Sequence, residues 1–217
     1  VCDRACFRAC FRAQTWLACG VDSIDCVIPA AGRSSRMGSW KLMLPFGSST
    51  IVERVVDSAL LSCRKIILVA GYRGLELARL FDCQDRVQIV AHDDWEHGMF
   101  SSIQAGVRHV ETTRFFLCLA DLPLLRGDVF TALADEPSAG VVVPTFDGRR
   151  GHPVLLGSSV KEQIIRTDSL TGNMREILRG FRLTELEWHD DSILRDTDTP
   201  AEYQQLIGES RTSKGCE

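Results

Sequence analysis

Short apolar runs alternate with segments of helical spacing along most of the chain. Residues 24–29, 65–71, 87–91, 115–120 and 140–144 are apolar and largely β-branched, which reads as buried strands. Between them, residues 50–61 place Ile51, Val55, Val56, Ala59 and Leu60 on one helical face. Thr50 and Glu53 have the spacing of a capping box in front of that helix. Residues 75–81, 101–110 and 128–134 read as further helices. Beyond 144 the pattern is less regular, with strands at 154–156 and 183–188 and helices at 160–166 and 173–178. A last helix starts near Pro200, with Thr199 as its N-cap. The alternation predicts an α/β, three-layer, Rossmann-like fold with a mainly parallel sheet and helices on both faces. Such sheets bind ligands beyond the carboxyl ends of their strands, so 30–41, 71–74, 92–102 and 121–123 become the segments of interest.

Composition narrows the class. With 217 residues and 45% hydrophobic content, the chain suits one domain, taken as 23–208, followed by a polar, flexible tail at 209–217. The formal net charge of −4, without a basic stripe, argues against nucleic acid as a partner. No stretch approaches the roughly 18 apolar residues of a membrane helix. Nine cysteines form no CxxC pair and join no histidine cluster. A reduced, cytoplasmic, monomeric protein is the expectation. The first 22 residues repeat "RACF", carry hardly any acidic charge and begin with Val. They are expected to be unordered, or extraneous to the domain, as an added remnant or a mis-assigned start.

The stretch "AAGRSSRMGSWK", Ala30 to Lys41, leaves the first strand at the sheet's carboxyl edge. Ala30, Ala31 and Gly32 admit a ligand close to the backbone, and free N–H groups there can cradle an anion. Arg33, Ser34, Arg36 and Lys41 add polar and positive groups suited to phosphate oxygens. It is not a Walker A loop, because Lys41 follows Gly38 by three positions. It lacks the GxGxxG of a dinucleotide site. A solvated basic loop with turn glycines is the plain alternative. Asp121 closes an apolar strand, where it can hold Mg²⁺ or simply cap a turn before Pro123. Gly98, Ser101 and Ser102 open a helix, where they can meet a base and ribose or merely cap.

The same stretch resembles, position for position, the AAGxSxRMGxxK signature of the nucleotidyltransferases related to the molybdenum-cofactor cytidylyl- and guanylyltransferases. "VAGY" at 69–72, "HGMFSSIQAG" at 97–106, "ADLPLL" at 120–125, "GHPVLL" at 151–156 and "DTDTPAEY" at 196–203 follow in that family's order. The resemblance implies the nucleotide-diphospho-sugar transferase type of fold. It implies Mg²⁺ on Asp121 and Asp198, supported by Asp196, with Lys41, Arg36 and Asp121 as catalytic residues. It places a nucleotide on Ala30–Ser34, Arg36, Lys41, Gly71, Gly98, Ser101 and Ser102. Gly151, His152, Pro153 and Arg175 would face the acceptor.

"PAAG" stands where guanylyl members tend to read "LAGG", which points to CTP. The implied reaction transfers CMP from CTP to molybdopterin or the molybdenum cofactor and releases pyrophosphate. The stretch "RTDSLTGNMREIL" at 166–178 departs from the "GDxGAR" pattern common among cytidylyl members. Two alternatives therefore stand. One is transfer to another phosphorylated acceptor, such as a sugar or alcohol phosphate. The other is a non-catalytic escort that carries the molybdenum cofactor to a molybdoenzyme.

Overall fold

The computed structural model describes residues 24–34, 37–138 and 140–212. The segment 1–22 and the last five residues of the tail lie outside them. In chain order the elements are β1 (Asp25–Pro29), a hairpin of β2 (Pro45–Phe46) and β3 (Ser49–Thr50), α1 (Ile51–Leu60), β4 (Lys65–Ala70), α2 (Gly74–Leu80) and β5 (Val87–Ala91). Then come α3 (Met99–Val107), β6 (Arg114–Leu117), α4 (Gly127–Asp135), β7 (Val141–Phe146), β8 (Arg149–Arg150) and β9 (Val154–Gly157). The chain closes with α5 (Ser158–Arg166), α6 (Met174–Arg179), β10 (Leu183–Glu187) and α7 (Pro200–Thr212).

The main sheet has the order β10-β7-β9-β6-β1-β4-β5, with β8 hairpinned onto β7. Strands β6, β1, β4 and β5 are parallel, and β10 is parallel to β7. Strand β9 runs antiparallel between β6 and β7. The pleat sends alternate residues to opposite faces. Cys26, Ile28, Ile66, Leu68 and Phe116 pack against α1 and α4, while Val27, Ile67, Val69, Phe115 and Leu117 pack against α3 and α5. The result is the expected three-layer architecture. Among the described residues no helix is long and apolar enough to cross a membrane.

Local chemistry sets the ends that matter. The capping box closes α1, with Glu53 N donating to Thr50 Oγ1 at 3.3 Å and Thr50 N to Glu53 Oε2 at 2.7 Å. Helix α3 lies so close to the sheet that a Cβ on Gly106 would sit 2.6 Å from Val27 Cγ1 and 2.7 Å from Val69 Cγ2.

Two strands differ from the sequence reading. Strand β6 ends at Leu117, three residues early, because its partner β9 starts at Val154, behind Pro153, which has no N–H to offer. Cys118 still donates to Val27 O at 3.0 Å, after which the chain leaves the sheet and lifts Asp121 over its edge. Strand β7 runs past Pro144 to Phe146, then turns through Asp147 (φ 50°) and Gly148 (φ 69°) into β8. Both turn residues adopt the left-handed backbone that a two-residue hairpin loop of this type requires.

Candidate active site

The loop after β1 stays tied to the sheet for two residues. Ala30 N donates to Val69 O at 2.9 Å, and Tyr72 N donates to Ala31 O at 3.0 Å. It then crosses the edge and returns at a short 3-10 turn, Lys41–Met43. That turn aims Lys41 at two carboxylates from distant parts of the chain. Lys41 Nζ lies 2.5 Å from Asp121 Oδ2 and 2.7 Å from Asp198 Oδ1. Burial alone would push the Lys41 ammonium down, but the two carboxylates together outweigh it and hold its pKa above the usual lysine value.

Asp198 reaches this point because the segment before α7 is anchored twice. Thr197, fully buried, donates its hydroxyl to the backbone oxygen of Asp121 at 3.2 Å. Glu202 Oε2 accepts from Asp198 N at 3.1 Å and from Thr199 N at 2.8 Å, a capping box that opens the last helix. Tyr203 donates to Pro45 O at 2.7 Å, and Leu206 packs on Phe46 and Ile51, which docks α7 on the β2–β3 hairpin. Asp196 lies nearby at the surface, its carboxyl partly sheltered by its neighbours. Its carboxyl is raised, first by partial burial and then by repulsion from Asp121 and Asp198.

Around Lys41 the edge opens into a cleft of about 230 Å³, walled in part by Ala30, Gly32, Ser34, Asp121 and Asp198. A wider cleft of about 880 Å³ adjoins it. Met99 and Leu119 belong to the walls of both. The wider one is lined by apolar side chains of α3, β7, β9 and β10, with Arg150, His152, Asn173, Arg175 and Arg179 as its polar groups. His152 Nδ1 meets Leu117 O at 3.3 Å, so the neutral ring carries its proton there and leaves Nε2 with a lone pair. Burial lowers the His152 pKa, which keeps the ring neutral at pH 7.

The residues singled out in the sequence divide accordingly. Ala30, Gly32, Ser34, Lys41, Asp121 and Asp198 converge on the smaller cleft, and Gly151, His152 and Arg175 on the larger. Pro153 is buried and lines neither. Ala31 is turned into the ladder with Tyr72. Arg33 instead lies over the Tyr72 ring at 6.0 Å. Gly71 backs onto Trp95, whose Cβ would be 2.6 Å from a Cβ at that position. Gly98 (φ 103°) caps α3 through its backbone, and its oxygen accepts from Ser101 Oγ at 2.8 Å. Ser101 Oγ also meets His92 Nε2 at 3.0 Å, so this serine faces a different side of the helix. Ser102 is buried. Arg36 lies outside the described residues. The sequence reading missed Met99, Leu119 and Thr197, although Met99 and Thr197 sit inside stretches it had already marked.

The residues also fit a divalent cation. Asp121 Oδ1 is buried and has no hydrogen-bond partner among the described residues, a costly state for a carboxylate oxygen unless a cation completes it. Among the described residues no cluster of three or more Asp, Glu, His or Cys side chains could hold a metal ion. Two carboxylates that leave the remaining positions to water and substrate phosphates are the usual arrangement for Mg²⁺.

The smaller cleft opens at the carboxyl edge of the sheet, where doubly wound sheets bind their ligands, and the larger continues from it along one sheet face. The chain belongs to the family described as the MobA-like NTP transferase domain, whose pattern matches residues 26–188, and it is a nucleotidyltransferase. It is 37% identical over 183 residues to the molybdenum cofactor cytidylyltransferase of Escherichia coli (strain K12), covering 84% of this chain and 95% of that protein. A nucleotidyl transferase from Methanothermobacter superposes with a TM-score of 0.76 at 22% identity, over 88% of this chain and 99% of that one. A Mycobacterium tuberculosis protein solved as a manganese complex superposes with a TM-score of 0.70 at 22% identity, over 86% of this chain and 98% of that one. At these identities the two structures speak for the fold.

Proposed function

We propose that this enzyme transfers CMP from CTP to a phosphate of the molybdenum cofactor and releases pyrophosphate. The observation that carries the reading is the junction of the two clefts at Met99 and Leu119, next to Lys41, Asp121 and Asp198. The smaller cleft offers glycine-rich backbone and an ammonium to a triphosphate. The larger suits a bulky, largely planar acceptor better than a small polar one, because apolar side chains make most of its wall. The 37% identity to the E. coli cytidylyltransferase supports the same acceptor and base.

In this mechanism Ala30, Gly32, Ser34 and Lys41 hold the triphosphate with its α-phosphorus toward the cleft junction. An acceptor phosphate oxygen attacks that phosphorus in line. The bond from α-phosphorus to the bridging oxygen breaks, and pyrophosphate leaves with the electron pair. Lys41 neutralises charge as it develops on the leaving group. Asp121 and Asp198 would hold Mg²⁺, which when bound adds positive charge against the phosphates. Leu119 and Met99 line both clefts beside the reacting atoms. No covalent enzyme intermediate is required, since positioning and charge neutralisation carry such transfers.

The test is pyrophosphate release with Mg²⁺, molybdenum cofactor and either CTP or GTP. Release with CTP alone supports both parts of the reading. Release only with sugar or alcohol phosphates as acceptor overturns the acceptor. Tight cofactor binding without release overturns the catalytic reading and leaves an escort.

A further inference from the structure

We infer that Tyr72 is a positioning residue: its ring is wedged between Trp40 and Trp95 and holds the Lys41 turn in register with the loop that leads to Met99. This deepens the nucleotidyl-transfer reading and rests on it for its effect on turnover.

Three loops leave the carboxyl edge of β1, β4 and β5, and Tyr72 touches all three. It belongs to the loop after β4. Its backbone N–H is bonded to Ala31 O, in the glycine-rich loop after β1. Its ring meets Trp40 edge to face, with centroids 5.9 Å apart and planes at 86°. Trp40 is the residue directly before Lys41, and it is 5% exposed. On its other side the ring meets Trp95 at 5.9 Å and 64°. Trp95 opens the short turn Trp95–His97, after β5, which ends at Gly98 and Met99.

The contacts behind the wedge are tight. Trp95 sits so close to Gly71 that any side chain there would displace the indole. Two guanidinium groups cover the cluster, Arg33 over Tyr72 at 6.0 Å and Arg73 over Trp40 at 5.3 Å. The Tyr72 hydroxyl bonds nothing among the described residues, so the ring rather than the oxygen makes the link. Two edge-to-face contacts have restricted geometry, because the ring's quadrupole favours them over sliding stacks. Lys41 borders the smaller cleft, and Met99 borders both. The wedge therefore sets the separation between the group that meets the triphosphate and the wall that faces the acceptor. An error of about 1 Å in such a separation can cost on the order of a hundredfold in rate.

The experiment compares Tyr72→Ala, Tyr72→Phe and Trp95→Ala with the wild type in the full chain. Three readouts are used: MgCTP affinity by calorimetry, kcat and KM for pyrophosphate release, and amide hydrogen exchange. Tyr72→Ala should lower kcat by about ten- to a hundredfold, and it should speed exchange in peptides covering 37–44 and 92–99 together. Trp95→Ala should reproduce both effects, and Tyr72→Phe should restore both. Wild-type kcat in Tyr72→Ala would overturn the inference. So would a Phe variant as impaired as the Ala variant, or faster exchange in only one of the two loops. If the wild type itself binds no nucleotide, the functional reading fails, and the exchange data still decide the wedge.

Discussion

Lys41 and Asp198 stand 157 positions apart in the chain, and their side chains meet at 2.7 Å. Asp121, from a third segment, meets the same ammonium at 2.5 Å. One positive charge thus holds two carboxylates that would otherwise repel each other at the mouth of the smaller cleft.

Lys41→Met removes that charge while keeping most of the side-chain volume. Asp121 and Asp198 then face each other without the ammonium between them, which costs stability at neutral pH and favours any other cation there. Pyrophosphate release should fall about a hundredfold or more, as when a group that stabilises developing charge is lost. The variant should melt below the wild type, and millimolar Mg²⁺ should raise its Tm by more than it raises the wild-type Tm. Equal Mg²⁺ responses in the two proteins would separate Lys41 from the carboxylate pair and refute the arrangement.

The opposite edge of the sheet carries an acid-sensitive network. Buried Asp25 accepts from Arg64 Nε at 2.9 Å, and Arg64 also reaches Glu111 at 2.7 Å. Lys65 binds Glu111 at 2.9 Å. Arg64 and then Lys65 pull the Glu111 carboxyl down to about 2 from its ordinary 4.5. A carboxyl whose pKa is depressed on folding stabilises the fold above its unfolded value and loses that contribution as pH falls through the folded value. Glu111→Gln should therefore lower the urea midpoint at pH 7. The two midpoints should converge as pH drops from about 4.5 toward 2. Because Glu111 is exposed, salt should shrink the difference. A gap that persists at pH 2 would assign the effect to packing rather than charge.

Gly106→Ala tests the approach of α3 to the sheet. The new methyl would meet Val27 and Val69 at under 2.8 Å, so the helix must move outward. Overpacking of this kind costs about 1–3 kcal/mol. Chemical denaturation should show that loss, with kcat lowered as well because Met99 starts the same helix. Wild-type stability would mean that α3 shifts freely, which its buried Phe100, Ile103 and Val107 argue against.

These tests also mark what the sequence made legible. The strands and the α1 cap could be read because apolar runs and the Thr50–Glu53 spacing are local signals. Lys41, Asp121 and Asp198 could be paired only through the motif resemblance, since their meeting depends on Thr197 and on α7 docking at Phe46. Of the larger cleft only Gly151, His152 and Arg175 were legible, and only through the resemblance. Its walls are alternate residues of several strands, and only the sheet order brings them together. Arg33 and Ser101 went elsewhere because each finds a nearer partner, Tyr72 for one and Gly98 O and His92 for the other. The Asp147–Gly148 turn was a missed local signal, a two-residue hairpin loop of a kind that sequence alone announces.

Arg175 tests which cleft serves which substrate. It sits in the first turn of α6, where Asn173 Oδ1 accepts from its backbone N–H at 2.8 Å. Arg175 borders the larger cleft one helical turn from Arg179. Arg175→Gln keeps a polar side chain, somewhat shorter, and removes the charge. The KM for a phosphorylated acceptor should rise about tenfold, equivalent to about 1.4 kcal/mol, while the KM for CTP stays unchanged. Added salt should raise the wild-type acceptor KM toward that of the variant, since an exposed cation is screened. Arg149→Gln, on the β8 hairpin and outside both clefts, serves as the control and should change neither constant. A rise in the CTP constant alone would reverse the assignment and put the nucleotide in the larger cleft.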